Sequence, residues 1–189
     1  MPIKVNLTIW NPTSAPVDVL CYCLTGNDIT IPAFSFVDNE IEVYEYITKV
    51  YLFGFGRYYT GSPTTIVTIN SSNTNMIMEP NLSWIAVHNM TQSTLERVAY
   101  SKDESPVNSV RYSYWDSLGK YSKETTILPL KTKYIKIYKE DMDGIKEGYI
   151  TCWSGDKEYI TYKTIKTPNP GCEVNVYLYP SGLEEVIYR

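Results

Sequence analysis

The sequence predicts an all-β protein, an antiparallel β-sandwich, on three observations. Apolar and polar residues alternate with a period of two through most of the chain, the period at which a strand sends its side chains to one face. Turn-forming groups recur every ~8–12 residues, the spacing of short strands in a sandwich or barrel. Tyrosine is abundant, 18 of 189 residues against four Trp, four Phe and one His, and a ring tipped by a hydroxyl suits a half-buried pleated surface.

The strands follow in order. Residues 3–10 set Ile3, Val5, Leu7 and Ile9 against Lys4, Asn6 and Thr8, and residues 16–24 set Val17, Val19, Cys21 and Cys23 against Asp18 and Tyr22. Thr25-Gly26-Asn27-Asp28 then reverses the chain. Residues 29–37, 41–47 and 49–58 are rich in Ile, Val, Phe and Tyr; the start of this stretch at Asp38 resembles a helix cap, but its β-branched and aromatic content favours strand. Gly61-Ser62-Pro63 leads into 64–70, and 82–88 follows. Ser93-Thr94-Leu95-Glu96 has the spacing of a capping box and offers one or two helical turns. Strands are expected at 109–115 and 125–138. Asp143-Gly144 introduces 147–154, Ser154-Gly155-Asp156 introduces 158–166, and Pro168-Asn169-Pro170-Gly171 introduces 172–180, with a short last strand at 185–188.

A chain of this length holds one good core or two small ones. Its most polar stretch between patterned regions runs from Ser101 to Asn108, which makes it the candidate linker between two small β domains, 1–100 and 109–189. The alternative is one large sandwich or jelly roll in which this stretch is a long loop. No repeat stands out at a fixed period.

Several classes of chemistry find no foothold. The longest apolar run, Val50 to Phe55, is far short of the ~20 residues of a spanning helix. Net charge is −4, and the one basic grouping, Lys131, Lys133, Lys136 and Lys139, reads as an edge-strand guard, so no nucleic-acid partner is expected. The amino terminus enters alternation at once, without the charged and apolar regions of a secretory signal. Cys21, Cys23, Cys152 and Cys172 lack the paired spacing of a zinc site and read as small apolar core thiols. The only histidine, His88, sits in a strand with no nucleophile elbow, phosphate loop or dinucleotide fingerprint beside it. No cofactor or metal is expected, and Glu140-Asp141-Met142-Asp143-Gly144 lacks the full ligand ladder of a calcium loop.

The second half yields the sharpest expectation. At period two, Ile135, Ile137, Ile150, Cys152, Ile160, Cys172, Val174, Val176 and Leu178 share a core face. The opposite face would gather Tyr134, Tyr138, Tyr149, Trp153, Tyr159, Tyr177 and Tyr179. Rigid rings with polar rims bind surfaces at low entropic cost, so this face is the candidate binding site, with sheet stabilisation and internal packing as the bland alternatives.

The expectation for function is a non-enzymatic structural or assembly protein acting through protein–protein surfaces as a homo- or hetero-oligomer. Signal-less β proteins of this style are typified by virus or phage particle components (capsid accessory, collar or tail subunits), made in the host cytoplasm and carried in the virion. The alternative is a carbohydrate-binding sandwich in which Trp153, Tyr149 and Tyr138, or Tyr112, Tyr114 and Trp115, stack on a glycan.

Overall fold

A computed structural model describes residues 1–23, 28–101, 126–139, 146–155, 157–160, 165–181 and 184–189. The predicted strand 109–115, nearly all of the 101–108 linker, and Tyr112, Tyr114 and Trp115 lie outside them. Among the described residues the structure is all-β, 63% strand, with no α-helix. It divides into two compact units, Met1–Leu82 and Ser83–Arg189.

In the first unit the alternation of the opening residues becomes β1 (Pro2–Trp10), whose Val5, Leu7 and Ile9 are buried while Lys4 and Trp10 are exposed. It lies between β4 (Phe36–Tyr44), antiparallel, and β7 (Asn73–Ile77), parallel. The facing sheet runs β3 (Ile29–Ile31), β2 (Val17–Tyr22), β5 (Lys49–Gly56), β6 (Tyr59–Thr68). Val17, Val19, Ile31, Val50 and Leu52 supply its buried face, against Ile41 and Val43 from β4.

The second unit begins with β8 (Leu82–Asn89), flanked by β10 (Thr132–Tyr138) and by β14 (Glu173–Leu178), to which it is parallel; β15 (Glu184–Tyr188) closes that sheet. The other sheet centres on β11 (Glu147–Ser154), paired with β9 (Arg97–Ser101), β12 (Lys157–Ile160) and β13 (Ile165–Lys166). Ile85, Val87, Ile135, Ile137, Ile150, Cys152, Val174 and Val176 fill the space between, as the period-two pattern expected. Cys172 is only half-buried. The register sets Ile160 opposite Thr151 and Tyr159 opposite Cys152, one residue out of step with the expected faces.

The units repeat one arrangement. The order β4-β1-β7 with a parallel β1–β7 pair recurs as β10-β8-β14 with a parallel β8–β14 pair. After β1, Asn11 turns the chain: its Nδ2 donates to the carbonyls of Ala15, Ile31 and Pro32, and its Oδ1 accepts from the amide and hydroxyl of Thr13. After β8, Asn89 does the same with Ser93, Ile127, Leu128 and Thr91. Each turn ends beside a left-handed non-glycine residue, Phe34 at φ 52° and Leu130 at φ 59°. The next residue accepts the asparagine amide, Ser35 from Asn11 and Lys131 from Asn89. The Val17–Ile31 pairing reappears as the bridge Leu95–Ile127.

This repetition corrects three expectations. The stretch around Ser93 is a turn organised by Asn89 rather than a helix: the Asn89 side-chain amide donates to the Ser93 carbonyl, and the chain pairs onward as the Leu95–Ile127 bridge. Residues 83–100 belong with the second unit, since β8 pairs with β14 and β9 with β11, which moves the division from the 101–108 segment to Leu82. Finally, the expected strand 29–37 breaks after Ile31, where Phe34 leaves the extended region.

The buried phenol of Tyr100 donates to the carbonyl of Ile165 and lies 2.6 Å from Thr167 Oγ1. Burial pushes its pKa up to about 12, with the Thr167 hydrogen bond acting in the opposite direction. An unfolded tyrosine ionises near ~10, so between roughly pH 10 and 12 the native state holds a proton the unfolded chain has released. The buried thiols of Cys152 and Cys21, also held protonated by burial, begin the alkaline loss of stability above pH ~8.5, and Tyr100 should steepen it above pH ~10. Urea unfolding at stepped pH checks this, and Tyr100→Phe should show a shallower alkaline decline.

Candidate functional site

The outer face of the β4-β1-β7 sheet is built by the residues that alternate away from the core. Its middle is polar: Thr8 donates to Asp38 at 2.6 Å, and Lys4 meets Glu40 at 3.5 Å. Its end, where β1 runs into the Asn11 turn, is not. Register places Trp10 opposite Phe36 on one side and Ile77 on the other. The Trp10 and Phe36 rings lie 4.6 Å apart at 38°. All three are open to solvent, at 43%, 49% and 58%, and Phe34, swung out by its left-handed backbone, is 70% exposed. With Pro12, Asn75 and Met76, the Trp10, Phe34 and Ile77 side chains line an apolar depression of ≈ 610 Å³.

The corresponding place in the second unit carries different chemistry. His88 stands where Trp10 stands, Thr132 where Phe36 stands, and Tyr177 where Ile77 stands. His88 Nε2 donates to Asn175 Oδ1 at 2.8 Å, and its Nδ1 accepts from the Thr132 hydroxyl at 2.6 Å. Its ring stacks on Tyr177 at 4.1 Å. The lone histidine is thus a structural strand residue with both ring nitrogens engaged. Lower on the same face Trp84 meets Tyr134 edge-on at 6.4 Å and the Lys136 ammonium at 5.4 Å.

The predicted tyrosine face does not survive as one surface. Tyr134, Tyr138 and Tyr177 ride on the β10-β8-β14-β15 sheet, and Tyr179 follows β14, its hydroxyl donating to Glu185 at 3.3 Å. Tyr149 and Trp153 belong to β11 in the other sheet, and Tyr159 to β12. Strands of both layers contribute to one core, so the outer faces of the two layers point in opposite directions. Period two assigns a strand's faces but not which layer the strand joins. Trp153 is buried, 8% exposed, which removes it as a platform for a sugar ring. The exposed cluster of the first unit went unsingled because Trp10, Phe34, Phe36 and Ile77 are scattered in sequence. The one available signal was that Trp10 and Phe36 fall on the polar phase of their strands.

Two of the four thiols are held protonated. Burial pushes Cys152 well above the ordinary thiol range, and burial with the adjoining Cys23 does the same to Cys21. A second depression, ≈ 680 Å³, has Lys146, Lys166 and Arg189 beside Glu147 and Glu173. Its charges are mixed, and no group of three or more His, Cys, Asp or Glu placed to hold a metal occurs among the described residues.

No family model matches the sequence, and no curated protein does. Among solved structures, a DUF3823 family protein from Parabacteroides merdae aligns over 86% of this chain and 98% of its own at 9% identity and a TM-score of 0.26. A DUF3823 family protein from Bacteroides ovatus aligns over 87% and 98% at 11% identity and a TM-score of 0.24. Scores at that level leave the reading of this chain to its own residues.

Proposed function

We propose that this chain is a structural assembly protein, a subunit of a virus or phage particle of the capsid-accessory, collar or tail kind, that works through protein–protein surfaces. One observation supports it most: the exposed cluster of Trp10, Phe34, Phe36 and Ile77. A comparison internal to the molecule gives it weight. The same positions in the second unit are filled by a hydrogen-bonded set, so the sandwich does not itself require apolar side chains there. Aromatic residues held at a surface by a rigid sheet are the anchors of interfaces.

The test uses particles from the source organism's culture, separated by density-gradient sedimentation and probed with an antibody to the chain. The chain is expected to sediment with particles of megadalton size. Recovery only as free protein at the top of the gradient would refute the reading. For the carbohydrate alternative, the burial of Trp153 and the placing of Tyr138 and Tyr149 in different sheets count against the first ring set, while Tyr112, Tyr114 and Trp115 lie outside the described residues.

A further inference from the structure

We propose that β7 is a self-complementary open edge, and that a second copy of this chain adds its own β7 there, antiparallel, across a two-fold axis at Asn75. The inference deepens the assembly reading and rests on it. It starts from the repetition of the two units. In the second unit the edge of β14 is closed by β15: Glu173 exchanges backbone hydrogen bonds with Arg189 at 2.9 and 2.7 Å, Asn175 stands opposite Ile187, and Tyr177 opposite Glu185. In the first unit β7 takes the place of β14, and among the described residues its sheet stops there. The fold has a position for one more antiparallel strand, filled in one unit and open in the other.

The ladder settles which groups face that opening. Asn6 donates to the Ser72 carbonyl and Met78 donates to the Trp10 carbonyl, so the even-numbered residues of this stretch bond to β1. The amides and carbonyls of Asn73, Asn75 and Ile77 therefore point the other way, where no strand pairs with them among the described residues and where the Asn73 carbonyl accepts only from the hydroxyl of the nearby Ser71. Asn75 and Ile77 are exposed. Centred on Asn75, an antiparallel copy sets Asn75 against its own equivalent and Asn73 against Ile77. Every facing residue then has its hydrogen-bonding groups turned toward the partner.

The character of the edge selects a second copy as occupant. Two-fold pairing places each charge near its own image, and proteins block unwanted edges with charge, bulges or shortness. Five other edges carry such guards. β4 has Asp38, Glu40 and Glu42; β10 has Lys133 and Lys136; β15 has Glu185. β6 is bulged along its pairing with β5, and β3 is three residues long. Asn73-Thr74-Asn75-Met76-Ile77 has neither charge nor proline and pairs with β1 without a break. Its outer face adjoins the Trp10 depression, which would lie along the edge of the joined sheet.

A charge exchange at the proposed axis tests this on the full chain by sedimentation equilibrium across a wide micromolar range. Wild type is expected to dimerise. Asn75→Lys and Asn75→Asp, each exposed and each confronting its own image, should weaken the dimer by at least about tenfold, and an equimolar mixture of the two should restore it as a mixed dimer. Unchanged circular dichroism melts would confirm that both variants fold. A monomeric wild type, dimers indifferent to both changes, or a mixture that fails to re-form would each overturn the proposal. Particle association that is lost in Asn75→Pro while the purified wild type stays monomeric would give the edge to a different protein, also overturning it. The gradient experiment answers separately whether the chain belongs to a particle at all.

Discussion

Asn11→Ala is expected to be the most damaging single change in the first unit, and Asn89→Ala in the second. Asn11 is 1% exposed and Asn89 is fully buried, and each amide group joins three carbonyls across a turn while its oxygen receives an amide and a hydroxyl. Alanine deletes all of these bonds and strands buried carbonyls without donors. Each unmade buried bond costs about 1–3 kcal/mol, and part of the set relaxes to water, so a loss on the order of 4 kcal/mol follows. For a unit of this size that is a fall in melting temperature of roughly 20 °C, measurable by calorimetry. Asp at either position should be nearly as harmful, because it keeps the acceptor and turns a charged oxygen toward the carbonyls. A fall of only a few degrees for Asn11→Ala would mean that the strands, rather than the turn, hold the first sandwich closed.

The second large effect concerns binding. Trp10→Ser with Phe36→Ser removes an exposed ring pair, which contributes about 0.5–1.5 kcal/mol to the fold, whereas interface anchors commonly contribute about 2 kcal/mol or more each. The double variant should melt within a few degrees of wild type and bind the particle at least about a hundredfold more weakly. His88→Ala makes the contrast, since it occupies the equivalent position. It loses two hydrogen bonds and a stacked ring, about 2 kcal/mol of stability, with particle binding unchanged. Strong destabilisation by the Trp10 and Phe36 changes, with binding intact, would assign those rings to the fold.

What could be read from the sequence was whatever depends on local period. Val5, Leu7 and Ile9 on β1, and Ile150 and Cys152 on β11, lie on the buried side as alternation requires. Two strands escaped for opposite reasons. β7 is Asn-Thr-Asn-Met-Ile, in which two strand-averse asparagines interrupt the strand-favouring Thr74 and Ile77, and it is held by its parallel neighbour. β9 was hidden behind the apparent helix cap at Ser93. The binding surface was legible only in part. Trp10 and Phe36 become neighbours through the β1–β4 pairing and Ile77 through β7, and long-range register is absent from any local pattern. The repetition of the units was concealed because the connection after β9 is longer than its counterpart after β2, so matching residues drift apart along the chain. A few positions keep their identity, the turn residues Asn11 with Thr13 and Asn89 with Thr91 among them, together with Ile31 and Ile127 and with Asn75 and Asn175.

The divergence of the two sandwiches has a consequence for how the chain reaches its native state. Two copies of one topology on one polypeptide are each other's nearest decoys, and neighbouring repeats tend to misassemble by exchanging equivalent strands while both are still open. Here a wrong exchange would be penalised at once. β8 delivered to the place of β1 would set His88 beside Phe36 and Ile77, where Asn75 stands in the position of Asn175 but Phe36 replaces the Thr132 hydroxyl that His88 accepts from. β1 delivered to the place of β8 would leave the Thr132 hydroxyl and the Asn175 side chain without the imidazole. The hydroxyl that His88 accepts from and the rings around Trp10 thus make an exchanged strand a poorer fit than the native one in either half of the chain.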